Sequence, residues 1–241
     1  MIITNCTWEL HNLDCRALEI ELEGWESIDE QTLNRIEEDY DYIVVKVKPL
    51  HFSLHQTLSA SGHIFIENQI TVRHDFRENK EDFPAERTLL NATYRKMEKK
   101  NDLERILENM SPEMFTTDRI YLDPNFGKHY SLRRYRNWMR QEFARGTQLY
   151  NIVRQGEEMG FVLFSLSNNN MNILLWGLFE PFQHKGLGDC VPMFPFWYHK
   201  NVMPLRKIET KVSSNNKGIL VKLEHWGYQI ATSEYVFVKH L

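Results

Sequence analysis

The chain has 241 residues, 42% of them hydrophobic, and a formal net charge of -4. That suffices for one large domain or two small ones with a packed core, and the acidic balance argues against a nucleic-acid binder. No apolar run is long enough to span a membrane, no signal-like N-terminus is present, and three cysteines without metal-ligand spacing read as reduced thiols in a cytoplasmic protein.

Residues 17–22 have a strand-like tendency. Ser27-Ile28-Asp29-Glu30 has the form of a capping box and opens a helix with Leu33 and Ile36 on one side. Residues 42–47 are rich in β-branched side chains and read as a strand. Residues 54–58 read as a short helix stopped near Gly62, and residues 63–72 as a hairpin turning at Asn68-Gln69. His51 and His55 are four apart, a chelating spacing on a helix, but no third ligand accompanies them. This half has no phosphate loop and no catalytic spacing. Charge runs at residues 77–82 and 95–100 place a domain boundary, giving an N-terminal α/β domain over residues 1–100 and a second domain over 101–241. No internal repeat is visible.

Residues 103–110 form an amphipathic helix. Ser131 is expected to cap a longer helix through Arg145, with Leu132, Tyr135, Trp138, Met139 and Phe143 on a core-facing stripe. Residues 149–154, 159–167 and 172–179 read as three strands joined by short turns, an antiparallel meander. After it comes Gln183-His184-Lys185-Gly186-Leu187-Gly188-Asp189, then a helix-like stretch over residues 190–200. Residues 207–212 read as a strand, 216–226 as a helix closed by Gly227, and 235–238 as the last strand.

A glycine turn between a strand and a helix collects backbone N–H groups into one concavity, where oriented donors and the helix dipole hold a phosphate. Gly186 and Gly188 let the backbone approach a ligand closely, and Lys185 adds positive charge. The spacing Gln183-x-x-Gly186-x-Gly188 resembles the acyl-CoA pyrophosphate loop of the GNAT acetyltransferase superfamily. The order of elements from residue 103 onward matches that family's domain. So does Asn216, eleven residues before Gly227, with Tyr228 in the aromatic place that follows. The stretch around Asp118-Arg119, Tyr135-x-x-Trp138 and Leu58-x-x-x-Gly62 is similar to the branch of the TDP-fucosamine acetyltransferases.

The resemblance implies an α/β (α+β) GNAT fold: a mixed, mostly antiparallel sheet flanked by helices, with a smaller N-terminal α/β domain. It implies acetyl-CoA or another acyl-CoA as co-substrate, no metal, and transfer of the acyl group to a primary amine, an amino sugar nucleotide in the branch it is similar to. Leu178 and Phe179 would offer backbone bonds to the pantetheine arm. Gln183, His184, Lys185, Gly186, Leu187 and Gly188 would hold the pyrophosphate, and Asn216 would contact the cofactor arm. Lys128, Arg133, Arg134 and Arg136 cluster near the expected acceptor side, where a diphosphate would need positive charge, although a solvated helix face explains them equally well.

Two departures from the family pattern stand out. Leu223 occupies the place where many relatives carry a tyrosine that protonates the departing thiolate, and leucine donates no proton. No catalytic residue is therefore assigned, and a GNAT-like protein that binds acyl-CoA or a partner without turnover stands as the alternative. Pro192 and Pro195 fall where the helix after the loop should run, so that helix is expected to be kinked or to start late. The oligomeric state stays open between monomer and homodimer.

Overall fold

The computed structural model describes residues 1–22, 28–78 and 91–241. Among these residues, ten strands form one continuous sheet in the order β1-β2-β3-β10-β4-β9-β8-β7-β6-β5. The N-terminal half supplies β1 (Ile2–Asn5), α1 (Glu9–Leu13), β2 (Ala17–Glu21), α2 (Glu30–Glu37), β3 (Tyr42–Val47), α3 (Phe52–Ala60), β4 (Ile64–Asp75) and β5 (Ala92–Met97). The rest supplies α4 (Lys100–Asn109), α5 (Arg119–Leu122), α6 (Lys128–Ala144), β6 (Gln148–Arg154), β7 (Glu157–Ser167), β8 (Asn170–Leu178), α7 (Phe194–Asn201), β9 (Lys207–Ser213), α8 (Lys217–His225) and β10 (Gln229–His240).

The meander forms as expected because its turns have the right chemistry. Gln155-Gly156 and Asn168-Asn169 all take positive φ, the conformation of tight two-residue hairpin turns. Gly227, at φ 74°, ends α8. Pro195 sits in the first turn of α7, where its missing N–H costs nothing, and α7 begins only at Phe194, after a short 3-10 turn at Gly188–Cys190. The helix thus starts late.

Two local expectations fail. Asn68-Gln69 is no turn: β4 is a single twelve-residue strand, with Asn68 opposite Tyr235 and Gln69 opposite both Glu234 and Ser213. Partners on both flanks, distant in sequence, hold the backbone extended, and neither residue takes positive φ. Ser131 does not cap α6, which begins three residues earlier behind Gly127; its buried hydroxyl donates instead to Asp118. Ser27 lies outside the described residues, and the side chain that caps α2 is Asp29, which accepts from the Thr32 N–H at 2.7 Å.

The sheet does not break at residue 100. β4, from the N-terminal half, lies between β9 and β10, and β10 lies between β3 and β4. The order β1-β2-β3-β10-β4-β9-β8-β7 reads the same from either end when β1, β2, β3 and β4 are exchanged for β7, β8, β9 and β10. Each half contributes the same strand-helix-strand-helix-strand unit with a parallel first pair, β2 with β3 and β8 with β9. The halves are a structural repeat that the sequence does not reveal, and they have swapped their last strands.

α2, α3, α7 and α8 cover one face, around Leu33, Leu58, Phe194 and Leu223. α1, α4, α5 and α6 cover the other, around Leu13, Ile106, Ile120 and Met139.

Candidate functional site

The two parallel pairs differ in one respect that matters. β2 and β3 stay together from Ala17↔Tyr42 to Glu21↔Lys46, and Leu22 N–H then donates to Lys46 O at 3.0 Å. β8 and β9 pair only from Asn170↔Lys207 to Ile173↔Thr210. Beyond that, residues 174–178 and 211–213 run on as strands without pairing each other, leaving a wedge. A bulge at Leu174, between the pairs Leu163↔Leu175 and Phe164↔Ile173, begins the divergence. Thr210 Oγ1 donates to Ile173 O at 3.2 Å and closes the foot of the wedge.

Phe179 N–H donates to Met159 O, on the β7 side. Ladder bonds alternate sides, so the backbone groups of Leu178 and Trp176 point into the wedge instead. Of the two residues expected to bond a pantetheine arm, Leu178 therefore faces the gap and Phe179 turns its N–H away. Leu178 O is occupied by Gln183 Nε2 at 3.0 Å.

The loop over residues 183–189 hangs from the end of β8 at the mouth of this wedge. The backbone N–H groups of His184, Lys185, Gly186 and Leu187 donate to no acceptor among the described residues. His184 and Gly186 take positive φ, 58° and 75°, which brings successive N–H groups round to one side. A side chain added at Gly186 would meet nothing within 4 Å, so the space in front of the loop is open. Lys185 makes no ion pair among the described residues; its ammonium lies 5.9 Å from the Phe182 ring centroid.

Asp189 fixes the loop to α8. Its carboxylate accepts from Lys222 Nζ and, at 2.9 Å, from Trp226 Nε1. Burial alone would raise the Asp189 carboxyl, but these two donors hold it below the ordinary carboxylate value. Asn216 is the N-cap of α8: its Oδ1 accepts from Ile219 N–H at 3.3 Å. Its side chain is thus partly spent on the helix.

Leu223 has no exposed surface and belongs to the same core cluster as the α7 aromatics. Tyr228 is likewise buried, beside His74 and Phe196, and burial raises its phenol far above the usual value.

The expected acceptor residues sit on the opposite face. Tyr135 stacks on Phe115 with centroids 4.2 Å apart. Asp118 caps α5 by accepting from Tyr121 N–H at 2.8 Å. The four cations expected to meet a diphosphate are already engaged. Lys128 pairs with Glu113, Arg133 with Asp14, and Arg134 with Glu9, while Arg136 donates to Met110 O at 2.8 Å. Arg119 is buried between Glu9 and Glu19. Arg119, Arg133 and Arg134 thereby join α5 and α6 to the N-terminal half.

Sequence reasoning missed two features of this face. A polar cavity of about 390 Å³ is lined by Thr71, Ser165, Asn172, Glu209, Thr210 and Lys211, among others. Thr210 places it against the foot of the wedge. Further along β4 lies Glu67, 4% exposed, which forms no ion pair among the described residues. Read as part of a hairpin, its strand gave no sign of pairing with β9.

No protein-family model matches the chain, and no curated protein sequence matches it. Solved structures do. A GCN5-related N-acetyltransferase from Kribbella flavida superposes with a TM-score of 0.58 at 10% identity, over 93% of this chain and 81% of that one. One from Sphaerobacter thermophilus gives 0.55 at 13% identity, over 83% of this chain and 59% of that one. A tandem GNAT protein from the clavulanic acid biosynthesis pathway gives 0.52 at 11% identity, over 88% and 68%. The fold is that of the GNAT acetyltransferases, a mixed sheet with flanking helices.

Proposed function

We propose that the protein is an acyl-CoA-dependent N-acyltransferase that moves an acetyl group to a small primary amine. The observation that carries this is the wedge between β8 and β9, opening beside a loop with four unbonded N–H groups. The loop's N–H groups and Lys185 suit the pyrophosphate of acyl-CoA. The edge of β8 at Trp176 and Leu178 suits the amides of the pantetheine arm. The arm would then deliver its thioester to the foot of the wedge, beside the Leu174 bulge. Backbone N–H groups freed there by the splay can stabilise negative charge developing on the thioester oxygen. The residues we assign to cofactor binding are Leu178, Gln183, His184, Lys185, Gly186, Leu187 and Gly188, with Asn216 at the edge of the site.

An amino sugar nucleotide is the narrower acceptor reading. It loses its electrostatic support, because Lys128, Arg133, Arg134 and Arg136 are each held by groups of the protein itself. Leu223 favours the second reading, binding of acyl-CoA without turnover, since nothing at that position can protonate a thiolate.

Calorimetric titration of acetyl-CoA into wild type and Gly186→Val tests the proposal. Valine branches would enter the open space before the loop, and binding should weaken by about 100-fold or more, roughly the 3 kcal/mol of two charge-assisted hydrogen bonds. Equal affinities would show that the loop is not the pyrophosphate site. Binding by wild type without turnover of any amine would favour the second reading.

A further inference from the structure

Two carboxylates on the α5–α6 side of the sheet are held by fixed cations. Glu9 pairs with Arg134 at 2.7 Å, and Glu19 with Lys46 at 2.6 Å. Glu67, 4% exposed, forms no ion pair among the described residues. A carboxylate kept out of water without a bonded cation costs several kcal/mol, so its presence calls for a role.

Its position supplies one. β4 presents Glu67, Gln69 and Thr71 on one face, because alternate residues share a face and the register is unbroken between them. Thr71 lines the polar cavity at the foot of the wedge. Gln69 Oε1 is buried and has no hydrogen-bond partner. β4 therefore leads from the cavity to two oxygen acceptors, neither with a bonded donor among the described residues beyond the Ser213 hydroxyl that faces Glu67. Buried acceptors in this state are satisfied by a ligand that brings donors. A primary ammonium brings three and a positive charge.

We propose that Glu67 and Gln69 form the acceptor-amine subsite, that Glu67 receives the amine's proton, and that the substrate is therefore a cationic aliphatic amine. This rests on the N-acyltransferase reading above. The ammonium gives one proton to the Glu67 carboxylate, and the neutral nitrogen attacks the thioester carbon. The C–S bond breaks as the C–N bond is completed, and the second proton leaves nitrogen for the departing thiolate. Glu67 returns its proton to solvent. The N-terminal half thus supplies part of the active site through its exchanged strand.

Burial raises the Glu67 carboxyl above its ordinary value, moderated by the Ser213 hydroxyl of β9 and by Arg119 and Arg134, while Asp118 opposes them. The base form is the ionised one, so turnover should rise with pH through that raised value.

The test compares wild type with Glu67→Gln, an isosteric change, both loaded with acetyl-CoA. The probes are ethanolamine, putrescine, spermidine, glucosamine and a nucleotide-linked amino sugar, read by thermal shift and by product formation from pH 5 to 9. The expected result is that wild type binds and acetylates a cationic aliphatic amine in preference to the sugar nucleotide. Glu67→Gln should keep its affinity for acetyl-CoA, lose about 100-fold in turnover, and lose the acid limb of the profile. Unchanged turnover and pH profile in Glu67→Gln would overturn the proposal. So would a wild type that binds acetyl-CoA but none of the amines, or that prefers the sugar nucleotide. Failure of wild type to bind acetyl-CoA at all would instead refute the reading of the fold as an acyltransferase.

Discussion

Leu223 shows how one side chain separates catalysis from packing. With no exposed surface and a place in the cluster that holds Phe194 and Trp226, it belongs to the core. Leu223→Ala should destabilise the protein by about 2–5 kcal/mol, read as a shift in the urea midpoint, because the cavity left behind refills only in part. Leu223→Tyr adds volume and a buried hydroxyl to a filled space, so its melting temperature should fall with no gain in turnover. Faster acetylation by the tyrosine variant would show that the missing proton donor limits the reaction. Gly186 is the opposite case. It is exposed, its φ is positive, and its value lies in what its absent side chain leaves open.

At the scale of elements, the loop and α8 act as one piece. Asp189 joins them through Lys222 and Trp226, so the concavity is fixed before any ligand arrives. Because those partners hold the Asp189 carboxyl below its ordinary value, the tether stabilises the fold at neutral pH. That contribution is lost as pH falls through the depressed value and the carboxyl protonates. Asp189→Asn should weaken acetyl-CoA binding by about tenfold at pH 7, the 1.4 kcal/mol expected of one charge-assisted contact. It should also flatten the acid dependence of the melting temperature. An unchanged affinity would mean that the loop holds its shape without the tether. The late start of α7 belongs to the same scale: Pro192 and Pro195 forbid earlier helical turns, and a short 3-10 turn carries the chain from the loop instead.

For the whole molecule, the exchange of β4 and β10 makes the two halves interdependent. Residues 101–241 alone would lack β4, leaving the flanks of β9 and β10 unpaired and Val72 missing from the core. That fragment should be insoluble or unfolded when expressed alone and should be rescued by co-expression with residues 1–100. A folded, monomeric fragment that binds acetyl-CoA would refute the interdependence. The chain's local chemistry was legible in its sequence: the meander, with its Gly156 and Asn168-Asn169 turns, the Gly227 stop, and the Gln183-x-x-Gly186-x-Gly188 loop. Each of these depends on dihedral preferences and spacing within a few residues. The wedge, the pairing of β4 and the burial of Glu67 depend on contacts between residues as distant as 67 and 236 or 69 and 213. Asn68-Gln69 reads as a turn until β9 and β10 arrive on its two sides, and Arg134 reads as a free cation until Glu9 folds against it. The sequence by itself determined which segments bend, cap and repeat their apolar faces, because those choices are made by neighbours along the chain. Only the tertiary structure decided which strand fills the gap between β9 and β10, where the sheet splits, and which cation each buried carboxylate meets. Strand partners and ion pairs are chosen in space, among groups that the chain order keeps far apart.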